Sequence, residues 1–225
     1  QVDILAQGVQ RESRMSAPGA LYDRWAAAYD EDTASYGWSA PSRLGAAVAR
    51  HAAAAPKRVL DVGVGTGQAS RVYLDLGAQV IGLDASSSML DSARKADARF
   101  HELLLHDIDA PLDPRRVEPG GFELVLACGV LHFAAALRET LAHLAPALAP
   151  GGLLAFTYIP PQARSFGPKT SLHDGPAVRS LVQDLGLTVL EEDQFVAYHN
   201  NANPDDPVEY GLIVARSPES HAASR

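Results

Sequence analysis

The chain has little cysteine, no long apolar run and a deficit of positive charge. Cys128 is the single cysteine among 225 residues, which excludes an intrachain disulfide and suits a reducing compartment. No apolar run reaches the length of a membrane span, and no signal-peptide pattern opens the sequence, so we expect a cytoplasmic protein with no membrane partner. The formal net charge of −8 disfavours a nucleic-acid partner, because such proteins usually present a basic face.

The sequence also lacks a methionine at its start, since residues 1–14 precede Met15. We expect residues 1–19 to be a tag remnant or an upstream extension outside the fold, and residues 217–225 to be a flexible tail. The rest has the composition of an ordinary globular domain, with 47% hydrophobic and 20% charged residues.

Residues 58–70 read RVLDVGVGTGQAS and organise the rest of the chain. An apolar stretch that fits a strand buried on both faces is followed by Gly63, Gly65 and Gly67 at alternate positions. Glycines allow positive φ angles and let a ligand approach the main chain closely. The amides at the start of the next helix favour a carboxylate or a phosphate. This pattern therefore predicts a loop that binds a nucleotide-like ligand, although a glycine-rich turn without a ligand would look similar.

The spacing of the glycines narrows the class of ligand. The dinucleotide fingerprint requires a glycine three residues after Gly65, where this chain has Gln68. Asp61 lies two residues before Gly63, at the end of the strand, where a carboxylate could meet a cationic group. A ligand with an ammonium, a carboxylate and a ribose is therefore favoured over a pyrophosphate, and a nicotinamide dehydrogenase is the disfavoured alternative.

Further strands are predicted at residues 78–84 and 99–105, within residues 122–133, which hold a strand and its exit, and in LLAFTY, with helical patterns between them. Strands that alternate with helices require parallel pairing and right-handed crossovers. The end of the chain differs, because residues 188–216 read as two strands joined by a turn-rich loop. The sequence therefore predicts an α/β sheet with an antiparallel hairpin at one edge.

Polar residues at the ends of these strands are candidate ligand contacts. Asp84 ends the second strand, where it could accept hydrogen bonds from ribose hydroxyls. Helix capping is the structural alternative, but Ser86 offers a better cap. Met89 could pack on a purine or simply fill the core. Asp107 and Ile108 supply the acceptor and the apolar wall that an adenine needs.

Five of the fifteen aromatic residues lie between residues 22 and 38. Tyr22, Trp25 and Tyr29 have the spacing of one helix face, and Tyr36 and Trp38 follow in a loop before an Ala-rich helix. This segment is either a helix packed on the domain or a lid over a site, and both can hold at once. We assign residues 20–54 to an N-terminal helical lid and residues 55–216 to the main domain.

From residue 20 to 216 the chain resembles the class I S-adenosylmethionine-dependent methyltransferases. The matching motifs are VLDVGVGTG, VIGLDASSSML, FELVLACGVLHF and LAPGGLLAFTY. The segments YDRWAAAYDED and YGWSAP look like the small-molecule enzymes of the ubiquinone-biosynthesis type, and closest to the methyltransferase-like protein 27 group. The resemblance implies a Rossmann-like, doubly wound sheet of seven strands whose last strand is antiparallel.

The same resemblance implies S-adenosylmethionine as cofactor and S-adenosylhomocysteine as product, with no metal. The glycine loop and Asp61 would hold the methionine part, Asp84 the ribose, and the backbone of Cys128 and Gly129 would lie near the sulfonium. Val64 departs from the usual cysteine or serine of the loop. The residues assigned to the cofactor are Asp61, Gly63, Gly65, Gly67, Asp84, Ala85, Met89, Asp107, Ile108, Cys128 and Gly129.

The acceptor side is less defined. A sulfonium is already electrophilic, so a general base is needed only for nucleophiles that are protonated at neutral pH. His132 is the first candidate for that base, with a polar residue lining the rim as the alternative, and His106 and Tyr158 are weaker candidates. Cys128 reads as a small buried hydrophobe rather than a nucleophile.

The aromatic lid and the absence of an N-P-P-Y motif after the fourth strand predict a small, partly apolar acceptor. Oxygen, nitrogen and carbon acceptors stay open, and so does the oligomeric state. One alternative is a protein that keeps the cofactor for other chemistry, such as a cyclisation. Another is a non-catalytic partner protein that binds the cofactor. The candidate lid and substrate residues are Tyr22, Trp25, Tyr29, Tyr36, Trp38 and Tyr158.

Overall fold

A computed structural model describes residues 18–161, 173–200 and 203–219 of the chain. The expectations for residues 1–17 and 220–225 lie outside the described residues. Pro18 and Gly19 were expected to lie outside the fold, but they begin the helix Pro18–Trp25, and Gly19 is buried. Residues 217–219 were expected in the tail, but Ser217 donates from its backbone N to the Gly152 carbonyl at 2.9 Å. Pro218 accepts a bond of 3.0 Å from the Gly151 amide, so this end of the chain is joined to the sheet.

Seven α-helices, two short 3₁₀ turns and seven strands make up the described part of the fold. The helices are α1 Pro18–Trp25, α2 Tyr29–Ser35, α3 Ala40–His51, α4 Arg71–Asp75, α5 Ser87–Ala96, α6 Leu137–Leu144 and α7 Gly175–Asp184. The strands are β1 Arg58–Val62, β2 Gln79–Asp84, β3 Glu102–Leu105, β4 Phe122–Ala127, β5 Leu148–Tyr158, β6 Thr188–Asn200 and β7 Asn203–Arg216. The 3₁₀ turns are Leu131–Phe133 and Ala145–Ala147.

The strands form one sheet in the order β3-β2-β1-β4-β5-β7-β6. The first five strands pair in parallel, whereas β7 pairs antiparallel with both β5 and β6. The strand order reverses between β1 and β4, and open α/β sheets bind ligands at the carboxyl ends of the strands beside such a reversal. The predicted α/β class and the antiparallel hairpin are confirmed, and the hairpin inserts β7 between β5 and β6.

Apolar residues alternate along the strands to build a core on each face of the sheet. On one face, Leu60 and Val62 pack with α6 and α7. On the other face, Val59 packs with α3 and α4. Asp61 points to this second face by the same alternation, and it is one of the few buried charged side chains there.

The predicted aromatic helix is divided in two. The chain turns at residues 26–28, so Tyr29 begins α2 instead of continuing α1. The Ala-rich sequence carries no glycine or proline to mark this break, and tertiary contacts decide it. The indole Nε1 of Trp25 donates to Asp32 Oδ2 at 2.6 Å, and the Trp25 and Tyr29 rings pack with centroids 4.7 Å apart.

The helix at the end of the predicted lid belongs to the main domain. Leu44 and Val48 of α3 are buried in the core on the second face of the sheet. Of the three helices in the predicted lid, α1 and α2 are the ones that line the cavity at the carboxyl ends of the strands. Two strands are shorter than predicted, since β3 begins at Glu102 and β4 ends at Ala127.

No helix among the described residues is long and apolar enough to cross a bilayer.

A contact between β5 and β7 gives a test of this packing. Gly211 pairs with Tyr158, and a Cβ built on Gly211 would lie 2.1 Å from Tyr158 Cζ. We expect Gly211→Ala to lower the free energy of unfolding by about 2 kcal/mol, because an overpacked core forces its neighbours to shift. Gly45→Ala on α3 is the matched control, since its Cβ would meet nothing closer than 3.9 Å.

The control should be neutral or stabilising by up to about 1 kcal/mol, because alanine favours a helix over glycine. Urea unfolding of both variants measures the two values. Equal stabilities for the two variants would contradict the close packing of β7 on Tyr158.

Candidate functional site

The glycine loop lies between the ends of β1 and β2. The amides of Gly63 and Val64 both donate to the Leu83 carbonyl, at 2.8 and 2.9 Å. Gly63 has a φ of 70°, and a Cβ there would lie 2.4 Å from Val130 Cγ2. A side chain at this position would therefore be strained in its backbone and would collide with the loop after β4.

Asp84 ties this loop to the start of α5. Its carboxylate accepts hydrogen bonds from the Gly65 amide at 2.8 Å and from the Ser86 amide at 2.9 Å. Ser86 caps α5, because its hydroxyl accepts from the Met89 amide at 3.0 Å. Burial raises the pKa of Asp84, while the backbone hydrogen bonds oppose that shift. Asp84 therefore shapes the loop, and it also lines the cavity described next.

A cavity of about 570 Å³ opens at the carboxyl ends of β1, β2, β3 and β4, beneath α1 and α2. One part of it is lined by the glycine loop and by the residues after β2, and another by the residues after β3 and β4. Its lining residues are Gly19, Ala20, Tyr22, Asp23, Tyr29, Val62, Gly63, Gly65, Leu83, Asp84, Ala85, Met89, Leu105, His106, Asp107, Ile108, Asp109, Cys128, Gly129, Val130 and Phe133.

The end of the cavity next to β3 has the lining that a purine requires. Met89 is buried in the first turn of α5, and Ile108 is half-buried in the loop after β3. Asp107 is exposed at its rim. Leu105 is an apolar side chain that remains 67% exposed at the end of the edge strand. The Asp107 carboxylate accepts a bond of 3.0 Å from the Asp109 amide and keeps further acceptor sites. An apolar wall beside such a carboxylate suits a flat ring that carries an amine.

The opposite end of the cavity is aromatic. The Tyr22 ring contacts both Tyr29 and Phe133, with centroids 6.2 and 5.8 Å apart. Cys128 and Gly129 follow β4 at this end, and the Gly129 amide donates to Thr157 Oγ1 at 2.8 Å. Burial raises the pKa of both tyrosines and of the Cys128 thiol. All three groups therefore stay protonated and uncharged near neutral pH.

Asp30 fastens α2 to the glycine loop. Its Oδ1 accepts from Thr66 Oγ1 at 2.5 Å and from Gln68 Nε2 at 2.7 Å, and its Oδ2 pairs with Arg71 at 2.7 Å. Burial raises the pKa of Asp30, but these hydrogen bonds outweigh burial and lower it overall. The Gln68 that replaces the third dinucleotide glycine thus holds the lid, since its amide also donates to Thr33 at 3.0 Å.

Asp23 fastens α1 on the other side of the cavity. Its Oδ1 accepts from the Ser86 hydroxyl at 2.6 Å and from the Ser88 amide at 3.1 Å, at the start of α5. The two lid carboxylates therefore reach the N-terminal ends of the helices that follow β1 and β2. We name α1 and α2 together, residues 18–35, the lid.

Asp61 lies beneath the glycine loop and outside the cavity lining. It is 1% exposed, its Oδ2 accepts from the Ser70 hydroxyl, and its Oδ1 has no partner among the described residues. Burial raises the pKa of Asp61 to about 7, with the Ser70 hydrogen bond opposing and the charge of Asp84 adding to the shift. The predicted cation partner would therefore act on a carboxyl that is poised to ionise near neutral pH.

Gly67 has a packing role in this structure. Its φ is 87°, and a Cβ there would lie 2.8 Å from Phe100 Cζ, away from the cavity lining.

Three of the aromatic residues that the sequence suggested for the acceptor side, Trp25, Tyr36 and Trp38, are absent from the cavity lining. Trp25 is 8% exposed, and it supports Tyr22 and Tyr29 through ring contacts. The loop with Tyr36 and Trp38 runs beside β6, where the His199 amide donates to the Tyr36 carbonyl at 3.1 Å. A Cβ on Gly129 would lie 3.0 Å from the Trp38 ring, so Trp38 packs behind the cavity floor.

His132 and Tyr158 also lie outside the cavity lining. His132 is 5% exposed in the 3₁₀ turn after β4. Its ring centroid lies 4.1 Å from that of Phe133 and 6.0 Å from that of Tyr210. Burial, with a contribution from His173, lowers the pKa of His132 to about 3. Tyr158 is fully buried against β7. The role of His132 as a general base stays a prediction. Its low pKa gives that role little support, because an imidazole of such low basicity is unprotonated at neutral pH but abstracts protons poorly.

Sequence reasoning missed three residues that shape the site, namely Asp23, Asp30 and Phe133. Both aspartates lie in a segment whose charged residues are typical of a solvated helix face. Their hydrogen-bond partners are 36 to 65 residues away along the chain. Phe133 was read only as part of the strand exit. A possible signal was the pair of carboxylates that flank the aromatics in YDRWAAAYDED.

Comparison with known proteins agrees with this geometry. Residues 60–154 match a family model described as a methyltransferase domain. The malonyl-[acyl-carrier protein] O-methyltransferase of Salmonella typhimurium is 33% identical over 141 residues, which is 63% of this chain and 53% of that protein. The chain thus spans about half the length of this curated relative.

Two solved structures share the fold. The 1,6-didemethyltoxoflavin-N1-methyltransferase of Burkholderia thailandensis, with bound 1,6-didemethyltoxoflavin and S-adenosylhomocysteine, has a TM-score of 0.66 and 18% identity, over 91% of this chain and 92% of that chain. An S-adenosylmethionine-dependent methyltransferase of Mesorhizobium loti has a TM-score of 0.60 and 20% identity, over 76% of this chain and 96% of that chain. The domain match, the strand topology and the solved structures together give the chain the fold of the class I S-adenosylmethionine-dependent methyltransferases.

Proposed function

We propose that the protein transfers the methyl group of S-adenosylmethionine to a small-molecule acceptor. The observation that carries this proposal is the cavity beneath the lid. Its wall combines a glycine loop, the strand-end residue Asp84 and apolar residues such as Met89 and Ile108 around one space of about 570 Å³. The N-terminal resemblance to enzymes of the ubiquinone-biosynthesis type, closest to the methyltransferase-like protein 27 group, supports a small acceptor and is part of the proposal.

The residues present fit the cofactor. Asp84 keeps acceptor capacity for ribose hydroxyls beyond its two backbone bonds, since a carboxylate has about four lone-pair sites. Met89, Asp107 and Ile108 would hold the adenine, and Gly63 and Gly65 allow the methionine part to approach the backbone. When bound, S-adenosylmethionine supplies an activated methyl group.

The protein's own contribution is to orient the acceptor and to exclude water. Tyr22, Tyr29 and Phe133 close the aromatic end of the cavity, and Asp23 and Asp30 hold that cover in place. The groups with raised pKa values at this end remain protonated, so they donate hydrogen bonds and do not abstract protons. We therefore propose that the acceptor is nucleophilic without an ionised protein base.

Binding of S-adenosylhomocysteine, followed by calorimetry, tests the cofactor site. We expect wild type to bind it and Asp84→Asn to weaken the affinity at least tenfold, which corresponds to about 1.4 kcal/mol. The reason is that an amide replaces one acceptor by a donor and removes the charge. Asp91→Asn is the matched control, because Asp91 is exposed on α5, the helix that follows Asp84, with its Oδ1 3.9 Å from Arg94 Nη1.

The control should bind as wild type does. Competition with NAD and a transfer assay that uses tritium-labelled methyl donor and a metabolite extract complete the test. Tight binding without transfer to any fraction would favour a non-methylating use of the pocket. Binding of NAD in place of S-adenosylhomocysteine would refute the proposal.

The pH dependence of binding tests the proposed role of Asp61. We propose that Asp61, which lies beneath the glycine loop and outside the cavity lining, acts on the ligand's ammonium through the loop as a buried charge. The pKa of Asp61 is raised to about 7 in the free protein, and a positive charge bound above the loop would favour its ionised form. The free protein must therefore lose this proton on binding below pH 7, so S-adenosylhomocysteine should bind more tightly as the pH rises from 6 to 8. Asp61→Asn should remove this trend, whereas the same pH profile in that variant would exclude Asp61 as its source.

A further inference from the structure

Three aromatic side chains form a corner at one end of the cavity. The rings of Tyr22, Tyr29 and Phe133 all belong to its lining. The Tyr22 ring is inclined by 58° to the Tyr29 ring and by 82° to the Phe133 ring, so the rings meet at angles and are not stacked. Trp25 is absent from the lining and packs against Tyr22 and Tyr29, with ring centroids 5.9 and 4.7 Å away. The corner is therefore supported from outside the cavity.

Rings set at angles to one another favour a positively charged group. The face of an aromatic ring carries partial negative charge, which attracts a cation placed over it. Proteins recognise methylated ammonium groups with several rings arranged in this way. The same rings also pack well on a flat aromatic ligand. The aromatic corner, defined as Tyr22, Tyr29 and Phe133, therefore suits an aromatic group that carries positive charge.

Carboxyl side chains line the same cavity, namely Asp23, Asp84, Asp107 and Asp109. Asp109 is tied to the aromatic corner, because its Oδ1 accepts a hydrogen bond of 2.9 Å from the amide of Ala135, two residues past Phe133. The basic group among the described lining residues is His106, and burial lowers its pKa, so it is uncharged near pH 7. The described lining is therefore negatively charged, which favours a cation over an anion.

Methyl transfer under the proposed function moves a positive charge toward this corner. The bond between the sulfur and the methyl carbon breaks, and its electron pair stays on the sulfur, which becomes uncharged. A lone pair of the acceptor forms the new bond to the carbon. An uncharged nitrogen thereby becomes a cation, so the cavity holds one positive charge before and after the step. An anionic acceptor would instead have to enter beside the carboxylates.

The protonation states at this end narrow the class of nucleophile. Burial raises the pKa of Tyr22, Tyr29 and Cys128, so all three are protonated near pH 7 and cannot accept the proton of a hydroxyl, a thiol or a carbon acid. An aliphatic amine has a pKa of about 10, so a proton occupies its lone pair. An aromatic nitrogen such as that of imidazole has a pKa of about 6.5, which leaves its lone pair free at neutral pH.

We propose that the nucleophile of the acceptor is an uncharged aromatic nitrogen, and that the aromatic corner and Asp109 stabilise the positive charge that it gains. This inference rests on the proposed function and adds the chemical class of the acceptor. The ring that carries the nitrogen packs on the corner. The product leaves as a methylated cation, and where the ring also carries an N–H group, that proton is then lost to water.

Three probes of similar shape test this class by binding alone. N-methylquinolinium, 1-methylnaphthalene and 1-naphthoate have the same size of ring system and are cationic, uncharged and anionic, respectively. Each is titrated into wild type saturated with S-adenosylhomocysteine, and calorimetry measures its affinity. We expect N-methylquinolinium to bind at least about tenfold more tightly than 1-methylnaphthalene, because the pair differs in charge and hardly in shape. The anion 1-naphthoate should bind most weakly.

Substitutions at the corner test where the preference for the cation arises. Asp109→Asn removes the charge but keeps an oxygen for the Ala135 amide, whereas Tyr29→Leu and Phe133→Leu each replace a ring by an aliphatic side chain. We expect each variant to reduce the ratio of the two affinities by about threefold or more. Affinity for S-adenosylhomocysteine should stay within twofold of wild type. Because both probes are measured on the same variant, a uniform loss of folded protein leaves the ratio unchanged.

Asp113→Asn is the matched control for Asp109→Asn. Asp113 is exposed and absent from the cavity lining, and its Oδ1 accepts from the Arg115 amide at 2.9 Å, as Asp109 does from the Ala135 amide. The control should keep the wild-type ratio. Equal ratios in the Asp109 variant and in wild type would exclude Asp109 from the proposal.

The chemistry of the product is tested with tritium-labelled methyl donor and a metabolite extract. After removal of the donor, we expect a labelled product that a cation exchanger retains at pH 5 and that keeps its label in alkali. Label released in alkali as methanol would identify a methyl ester and would overturn the inference. A stable product that the exchanger does not retain would overturn it as well.

Failure of the inference and failure of the proposed function give different results. Equal affinities for N-methylquinolinium and 1-methylnaphthalene, tightest binding of 1-naphthoate, or no binding of any probe would overturn the inference and leave the proposed function intact. Wild type that does not bind S-adenosylhomocysteine would refute the proposed function. A cation preference without any labelled product would refute methyl transfer, and the acceptor class with it.

Discussion

The hydrogen bond from the Gly65 amide to Asp84 is the interaction on which the site depends. It joins the loop after β1 to the end of β2, and the second oxygen of Asp84 holds the start of α5 through Ser86. Because β1 and β2 are central, paired strands, their ends are fixed by the sheet. The glycine loop therefore has a defined shape before any ligand arrives, which is the condition for backbone recognition of a small molecule.

The lid depends on the same two strand ends. Asp30 and Asp23 bind groups that follow β1 and β2, so the aromatic cover is held on opposite sides of the cavity. Both carboxylates are hydrogen-bonded at partly exposed positions, where such contacts are individually weak. Two short helices held by a few exposed bonds are therefore less stabilised than the packed core beneath them.

The sequence predicted the sheet, the hairpin and most of the cavity wall, because these follow from apolar periodicity and from residues at strand ends. Asp84, Met89 and Ile108 were found in this way. The break between α1 and α2 could not be predicted, since alanines favour a helix and the break depends on tertiary contacts such as the hydrogen bond from Trp25 to Asp32. The burial of His132 behind Phe133 is also a tertiary effect, because a histidine after a strand could face either side of the wall.

The central claim is that one ligand is enclosed between the glycine loop and the lid. Amide hydrogen exchange with and without S-adenosylhomocysteine tests it most directly, because it reports on both segments in one experiment. The account predicts that the ligand slows exchange in residues 63–67 and in residues 18–35 together. Slower exchange in the glycine loop alone, with an unchanged lid, would contradict the claim.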